Sequence, residues 1–173
     1  MKQSLLPLLL CICALSFSAT AQKLKTDVLS TGDTLIHTSD EKIYTRPGAP
    51  RSVGDYLKVS VYKYPSKGTM MLEMEIQTGR TSVFSISAGS AAALTLQNED
   101  VVTLYARNEN QSRISRLDYG CYIFVFYTLT ADDRARLKAS PVTSIRVSAS
   151  MGAMEYDIKS KFGDTISNQI SKF

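Results

Sequence analysis

Apolar and polar residues alternate without interruption along two neighbouring segments. In residues 56–64, Leu57, Val59 and Val61 alternate with Lys58, Ser60 and Tyr62; in residues 69–77, Leu72, Met74 and Ile76 alternate with Met71, Glu73 and Glu75. A period of two marks a strand with one buried face. The residues between them, Pro65-Ser66-Lys67-Gly68, suit a four-residue hairpin loop. Pairing Tyr64 with Thr69 sets Val61 opposite Leu72, Val59 opposite Met74 and Leu57 opposite Ile76, and puts Lys58 across from Glu75 on the other face. A slip of one residue would turn the charges into the core, so the register is strongly specified.

The same logic runs along the rest of the chain. Residues 34–45 predict one or two short strands around a turn at Ser39-Asp40, and 46–54, with two prolines and two glycines, a loop. After a turn at Gly79-Arg80, Val83–Ser87 predicts a strand with Phe84 and Ile86 on one face. Residues 91–97 and 101–106 predict a second hairpin around Asn98-Glu99-Asp100, with Leu96 opposite Val102 and Leu94 opposite Leu104. Residues 107–117 are polar and predict an exposed loop. Tyr119–Thr128, rich in aromatic and β-branched residues, predicts a central strand. Thr130 and Asp133 form a capping box that opens a short helix through about Lys138. Thr143–Ser150 and Ala153–Lys159 predict a third hairpin around Met151-Gly152. Ile145 would then face Ile158, Val147 Tyr156 and Ala149 Met154, with Arg146 meeting Asp157 outside. Phe162, Ile166, Ile170 and Phe173 form an amphipathic helical stripe, weakened by Gly163.

The fold class expected is mainly β: an antiparallel sandwich or curled sheet of roughly seven to nine strands, with a short helix near 131–138 and a C-terminal amphipathic helix. The alternative is an α+β arrangement.

The start of the chain changes the picture of where this domain works. Lys2 precedes an apolar run from Leu5 to Phe17, and Ala19-Thr20-Ala21 ends in the small residues of a cleavage site. The run is shorter than the roughly 20 residues of a membrane span. Residues 1–21 therefore read as a secretory signal peptide, with cleavage near Ala21/Gln22, residues 22–33 as a flexible lead-in, and residues 34–173 as one β-rich domain. Neither Cys11, after Leu10, nor Cys13, after Ile12, suits a lipid-attachment motif. The expected product is exported, periplasmic or extracellular, and soluble, with no membrane span in the mature chain. Removing Lys2 takes the net charge from +4 to +3, and the charges are scattered, which does not favour a nucleic-acid partner. Only Cys121 of the three cysteines remains, so the mature chain can form no internal disulfide; its place in an apolar strand reads as core.

Four segments resemble a family of small uncharacterised secreted β-rich proteins of Bacteroidetes-type bacteria: FSISAGS at 84–90, LTLQNEDVVTLY at 94–105, YTLTADDRARLK at 127–138 and VTSIRVSASMGAMEYDIK at 142–159. The resemblance covers about half of the chain. It implies a secreted, mainly β module and carries no catalytic residues with it. Where family members usually have Gly after Asn98-Glu99, this chain has Asp100.

Candidate chemistry is sparse. His37 is the only histidine, and no nucleophile motif accompanies it, so a catalytic triad or zinc site has no complete set of residues. No cofactor motif and no metal site is expected. Glu73 and Glu75 share a strand face about 7 Å apart, a spacing that can serve a carboxylate-based hydrolase, although Lys58 partners Glu75. Asp132-Asp133 is accounted for by helix capping. The Arg107, Arg113 and Arg116 stretch offers a basic loop for an anionic surface. Tyr56, Tyr62 and Tyr64 fall beside Lys58 on the outer face of one strand, where exposed rings can stack on sugars or peptides. Tyr56, Lys58, Tyr62 and Tyr64 are therefore the candidate ligand-binding residues. The reading is an exported, non-catalytic binding or structural module for an unknown protein or glycan. Its alternatives are a carboxylate-based hydrolase of envelope or dietary glycans, and an inhibitor or immunity-type partner of a secreted protein.

Overall fold

The computed structural model describes residues 24–48, 55–80, 82–115 and 120–173. Among them are thirteen strands and two α-helices. The strands are β1 (Lys25–Val28), β2 (Thr34–His37), β3 (Glu41–Thr45), β4 (Tyr56–Tyr64), β5 (Thr69–Thr78), β6 (Ser85–Ile86), β7 (Ala91–Leu96), β8 (Val101–Tyr105), β9 (Asn110–Gln111), β10 (Arg113–Ser115), β11 (Gly120–Leu129), β12 (Val142–Ala149) and β13 (Gly152–Asp157). The helices are α1 (Ala131–Ala139) and α2 (Thr165–Ile170). The protein is mainly β, as its patterning predicts. The proposed leader, 1–21, and residues 49–54 of the predicted loop lie outside the described residues.

A curled seven-stranded antiparallel sheet runs β1-β2-β4-β5-β11-β10, with β3 also on β4. The β4–β5 hairpin has the predicted register, including Tyr64 with Thr69, Val59 with Met74 and Lys58 with Glu75. The predicted central strand is β11, whose other neighbour is the short β10. Strands β2 and β3 share one edge of β4 rather than pairing with each other. Thr38 bridges the gap between them: its amide donates to the Val61 carbonyl at 3.0 Å, and its hydroxyl accepts from the Val61 amide at 3.0 Å. The first element differs from expectation. Within the predicted lead-in 22–33, β1 pairs with β2 as an exposed edge strand. Backbone pairing and the Asp27–His37 contact hold it, which leaves no apolar period to read.

A four-stranded sheet, β13-β12-β7-β8, packs against the first. Both of its hairpins are shifted by two residues from prediction. Leu94 faces Val102 and Ala92 faces Leu104, because the loop is Gln97-Asn98-Glu99, one residue earlier than expected. Three tertiary ties hold that turn. The Gln97 amide donates to the Pro141 carbonyl at 2.8 Å, the Asn98 amide to Ser140 Oγ at 3.2 Å, and Arg136 Nε to Asp100 at 2.9 Å. In the other hairpin Ile145 faces Tyr156 and Val147 faces Met154, and Arg146 meets Glu155 rather than Asp157. Its turn is drawn back to Ser150-Met151 by Ser150, which exchanges two hydrogen bonds of 2.9 Å with the Ser85 backbone. A two-residue shift preserves the buried face, so the apolar pattern alone does not separate the two registers.

The core lies between the sheets. Leu57, Val59, Leu72, Met74, Ile76, Ile123 and Val125 face Leu94, Leu104, Ile145, Val147 and Tyr156. Cys121 is buried there as a free thiol. The predicted capping box is present at α1: the Asp133 amide donates to Thr130 Oγ1 at 3.1 Å, and the Thr130 amide to the Asp133 carboxylate at 2.9 Å. The C-terminal stripe forms a 3-10 turn at Ser160–Phe162 and then α2, which buries Ile166 and Ile170. Gly163 lies at the break. A Cβ there would stand 2.9 Å from the Pro141 side chain, so a larger residue cannot occupy this crossing without movement.

Candidate functional site

Register places the candidate residues on the face of the large sheet turned away from the core. Tyr56, Lys58, Ser60 and Tyr62 alternate along β4 with the buried Leu57, Val59 and Val61. Across β4, β5 and β11 the rows read Tyr56-Gln77-Tyr122, Lys58-Glu75-Phe124, Ser60-Glu73-Phe126 and Tyr62-Met71-Thr128. Tyr56, Lys58, Tyr62 and Tyr64 are all half-buried.

Hydrogen bonds across the first two strands tie this face together. Glu75 accepts from the Tyr56 hydroxyl at 2.5 Å and from Lys58 Nζ at 2.7 Å. Glu73 accepts from Ser60 Oγ at 2.9 Å. Burial pushes the Glu73 carboxyl above the ordinary carboxylate range, and the Asp40 and Glu75 charges add to this; the Tyr62 and Ser60 hydrogen bonds oppose it. Burial, with the Glu73 charge and hydrogen bond, likewise pushes the Tyr62 phenol well above its usual value.

The aromatic rings are in contact as well. His37 stacks on Tyr62 with centroids 4.8 Å apart, and Phe126 meets the Tyr62 ring edge-on at 5.4 Å. Tyr122 and Phe124 form a second edge-on pair at 5.8 Å. Lys42 and Lys58 sit 4.5 Å and 4.9 Å from the Tyr56 ring centre. Both ring nitrogens of His37 face oxygen: Nδ1 lies 2.8 Å from the Thr38 carbonyl and Nε2 3.2 Å from the Asp27 carboxylate. The histidine thus belongs to the β1–β2–β4 edge. Among the described residues, no group of three or more His, Cys, Asp or Glu side chains is placed to hold a metal ion. No helix among them is long and apolar enough to cross a membrane.

Sequence reasoning missed Phe124 and Phe126. The alternation that exposes β4 also places them on the outer face of β11, but positions 121–127 are all apolar or aromatic, so the period of two is masked. Phe124 is 42 % exposed. Of the predicted basic stretch, Arg107 lies beside this face and Arg113 pairs opposite Tyr122, while Arg116 lies outside the described residues. Where the face meets the β1–β2 turn, Tyr64, Phe126, Met71, Arg107 and Lys67 line a cleft of about 370 Å³.

Compared with known proteins, the chain matches no family model, no curated protein and no solved structure. What the face can do is therefore judged from its own geometry: aromatic rings, fixed hydroxyls and ammonium groups on a sheet surface, with both glutamates already bonded to neighbours.

Proposed function

We propose that the chain is an exported, non-catalytic binding module, released from its leader between Ala21 and Gln22, that holds a glycan on the outer face of the large sheet. Tyr56, Lys58, Tyr62 and Tyr64 contribute, and Phe124 and Phe126 extend the surface. The likeness to small secreted β-rich proteins of Bacteroidetes-type bacteria agrees with this reading, as does the signal-peptide pattern of residues 1–21. The observation that carries the proposal is the cross-strand ladder. A pair of catalytic carboxylates needs one oxygen free to meet the leaving group or a nucleophilic water. Here both oxygens of Glu75 are taken, by Tyr56 and Lys58, and Glu73 is bonded to Ser60, while His37 and Phe126 pack on the Tyr62 ring; these contacts hold the rings in fixed orientations. Rings held in this way offer apolar surface to a sugar without a further loss of side-chain freedom on binding.

One observation favours the hydrolase alternative: burial raises the Glu73 carboxyl toward the range of a general acid. A single experiment separates the two readings. The protein and its Phe124→Ala and Tyr64→Ala variants are incubated with glycans extracted from the producing cell's envelope and medium, and both retention and chain cleavage are measured. Retention without cleavage, weakened several-fold in both variants, is expected. Cleavage that disappears in Glu73→Gln would establish the hydrolase instead. Equal retention by all three proteins would remove the face from consideration.

A further inference from the structure

We infer that the cleft at the β1–β2 end of the outer face is a subsite for a sugar bearing a carboxylate, such as a uronic acid unit; the inference rests on the glycan-binding reading of that face. The cleft has about 370 Å³ of space, within the usual ligand-site range of roughly 300–1,000 Å³. Tyr64 and Phe126 supply aromatic surface. Arg107 supplies the specificity. Its backbone amide donates to the Phe126 carbonyl at 2.9 Å, which fixes its origin on β11. Its guanidinium lies 3.2 Å from the Met71 sulfur, a weak acceptor, and among the described residues it pairs with no carboxylate. A planar cation whose strong donors are unspent, next to aromatic rings, matches a planar carboxylate on an apolar ring.

The rest of the lining favours a sugar over a peptide or a polyanion. Asp33 accepts from Ser66 Oγ at 3.2 Å and lies 3.8 Å from Lys67 Nζ. Its carboxylate can take a further hydroxyl donor, and its charge disfavours a second anionic group in the same cleft. Asn108 adds amide chemistry to the lining, and Lys67 stands 5.6 Å from the Tyr64 ring centre. One negative charge, several hydroxyls and an apolar ring face are together the features of a monocarboxylated sugar.

The test is calorimetry on the full protein with a glucuronate–glucose disaccharide and with its neutral glucose–glucose counterpart. The acidic disaccharide should bind roughly tenfold or more tightly than the neutral one, the difference expected of hydrogen bonds to a charged group. Arg107→Met, which keeps an apolar stem over Met71, should abolish that preference with an unchanged melting temperature. Phe124→Ala, away from the cleft, should weaken both sugars and leave their ratio intact. Equal affinities for the two sugars in the parent protein, or an unchanged preference in Arg107→Met, would overturn the subsite while leaving glycan binding by the face in place. Displacement of the acidic sugar by a glutamate-rich peptide at equal concentration would overturn its assignment to a sugar. Failure of both disaccharides to bind would overturn it too, and the envelope-glycan retention experiment would then decide the broader reading independently.

Discussion

Glu73 is the residue at which the balance of forces on the outer face can be read most directly. Burial, the largest effect, disfavours the carboxylate, and the Asp40 and Glu75 charges act in the same direction; together they outweigh the Tyr62 and Ser60 hydroxyls, which favour it, and the pKa rises. The folded state therefore holds this proton to higher pH than the unfolded chain does. The contribution to stability is fully present below the ordinary carboxylate range and is lost as pH rises through the raised value. Glutamine has the shape of the protonated acid, and its amide oxygen can still accept from Ser60 and Tyr62. Glu73→Gln is expected to lose this part of the pH dependence and to be more stable than the parent near neutrality. Denaturant titrations from pH 4 to pH 8 would measure it. If the variant keeps the parent's slope over that interval, the burial of Glu73 is not its source. This environment was only half legible beforehand: period two placed Glu73 opposite Ser60, but its other cross-strand neighbour, Phe126, comes from a strand whose own period was hidden.

At the scale of elements, the contrast between hairpins explains what patterning can and cannot specify. In β4–β5 the loop residues, the apolar alternation and the Lys58–Glu75 pair all demand one register, and that register forms. The capping box of α1 was legible for the same reason, since its donors and acceptors lie three residues apart. In β7–β8 and β12–β13 the faces were legible but the pairing was not, because distant partners hold the turns: Pro141, Ser140 and Arg136 for one, and Ser85 for the other. The first of these ties has a cost. It leaves Glu99 at a φ of 68°, in the left-handed region where a side chain is strained. A glycine removes that strain, although it also gains freedom in the unfolded chain. Glu99→Gly is expected to stabilise the protein by about 0.5–1 kcal/mol, read as a higher urea midpoint at constant slope. A lower midpoint would mean that the Glu99 side chain makes a contact worth more than its strain.

At the scale of the molecule, two sheets enclose a shared core, and α2 packs on it. Its Ile166 and Ile170 are almost fully buried, and Gln169 Nε2 donates to the Ser39 and Val59 carbonyls, both at 3.2 Å. The helix therefore covers apolar surface and also satisfies backbone oxygens at the place where β2 gives way to β3 along β4. The amphipathic stripe announced the first role, but the second depends on a chain crossing between residues far apart in sequence. Burying an isoleucine contributes about 1.5–3 kcal/mol, and a domain's whole stability is about 5–15 kcal/mol. Two isoleucines and a doubly bonded glutamine thus account for a large share of it. Removing residues 164–173 is expected to abolish a cooperative thermal transition near ambient temperature. Cys121 offers a second readout, because it is a buried thiol on the central strand. In the intact protein its alkylation should require global opening and be slow; in the truncated chain it should approach the rate of an unfolded thiol. Mass mapping of the modified peptide would distinguish Cys121 from Cys11 and Cys13. A truncated chain that melts at the parent temperature with Cys121 still protected would show that the two sheets hold the core without the helix. A truncated chain that exposes Cys121 while keeping its strand content would show that packing between the sheets, rather than strand pairing, depends on α2.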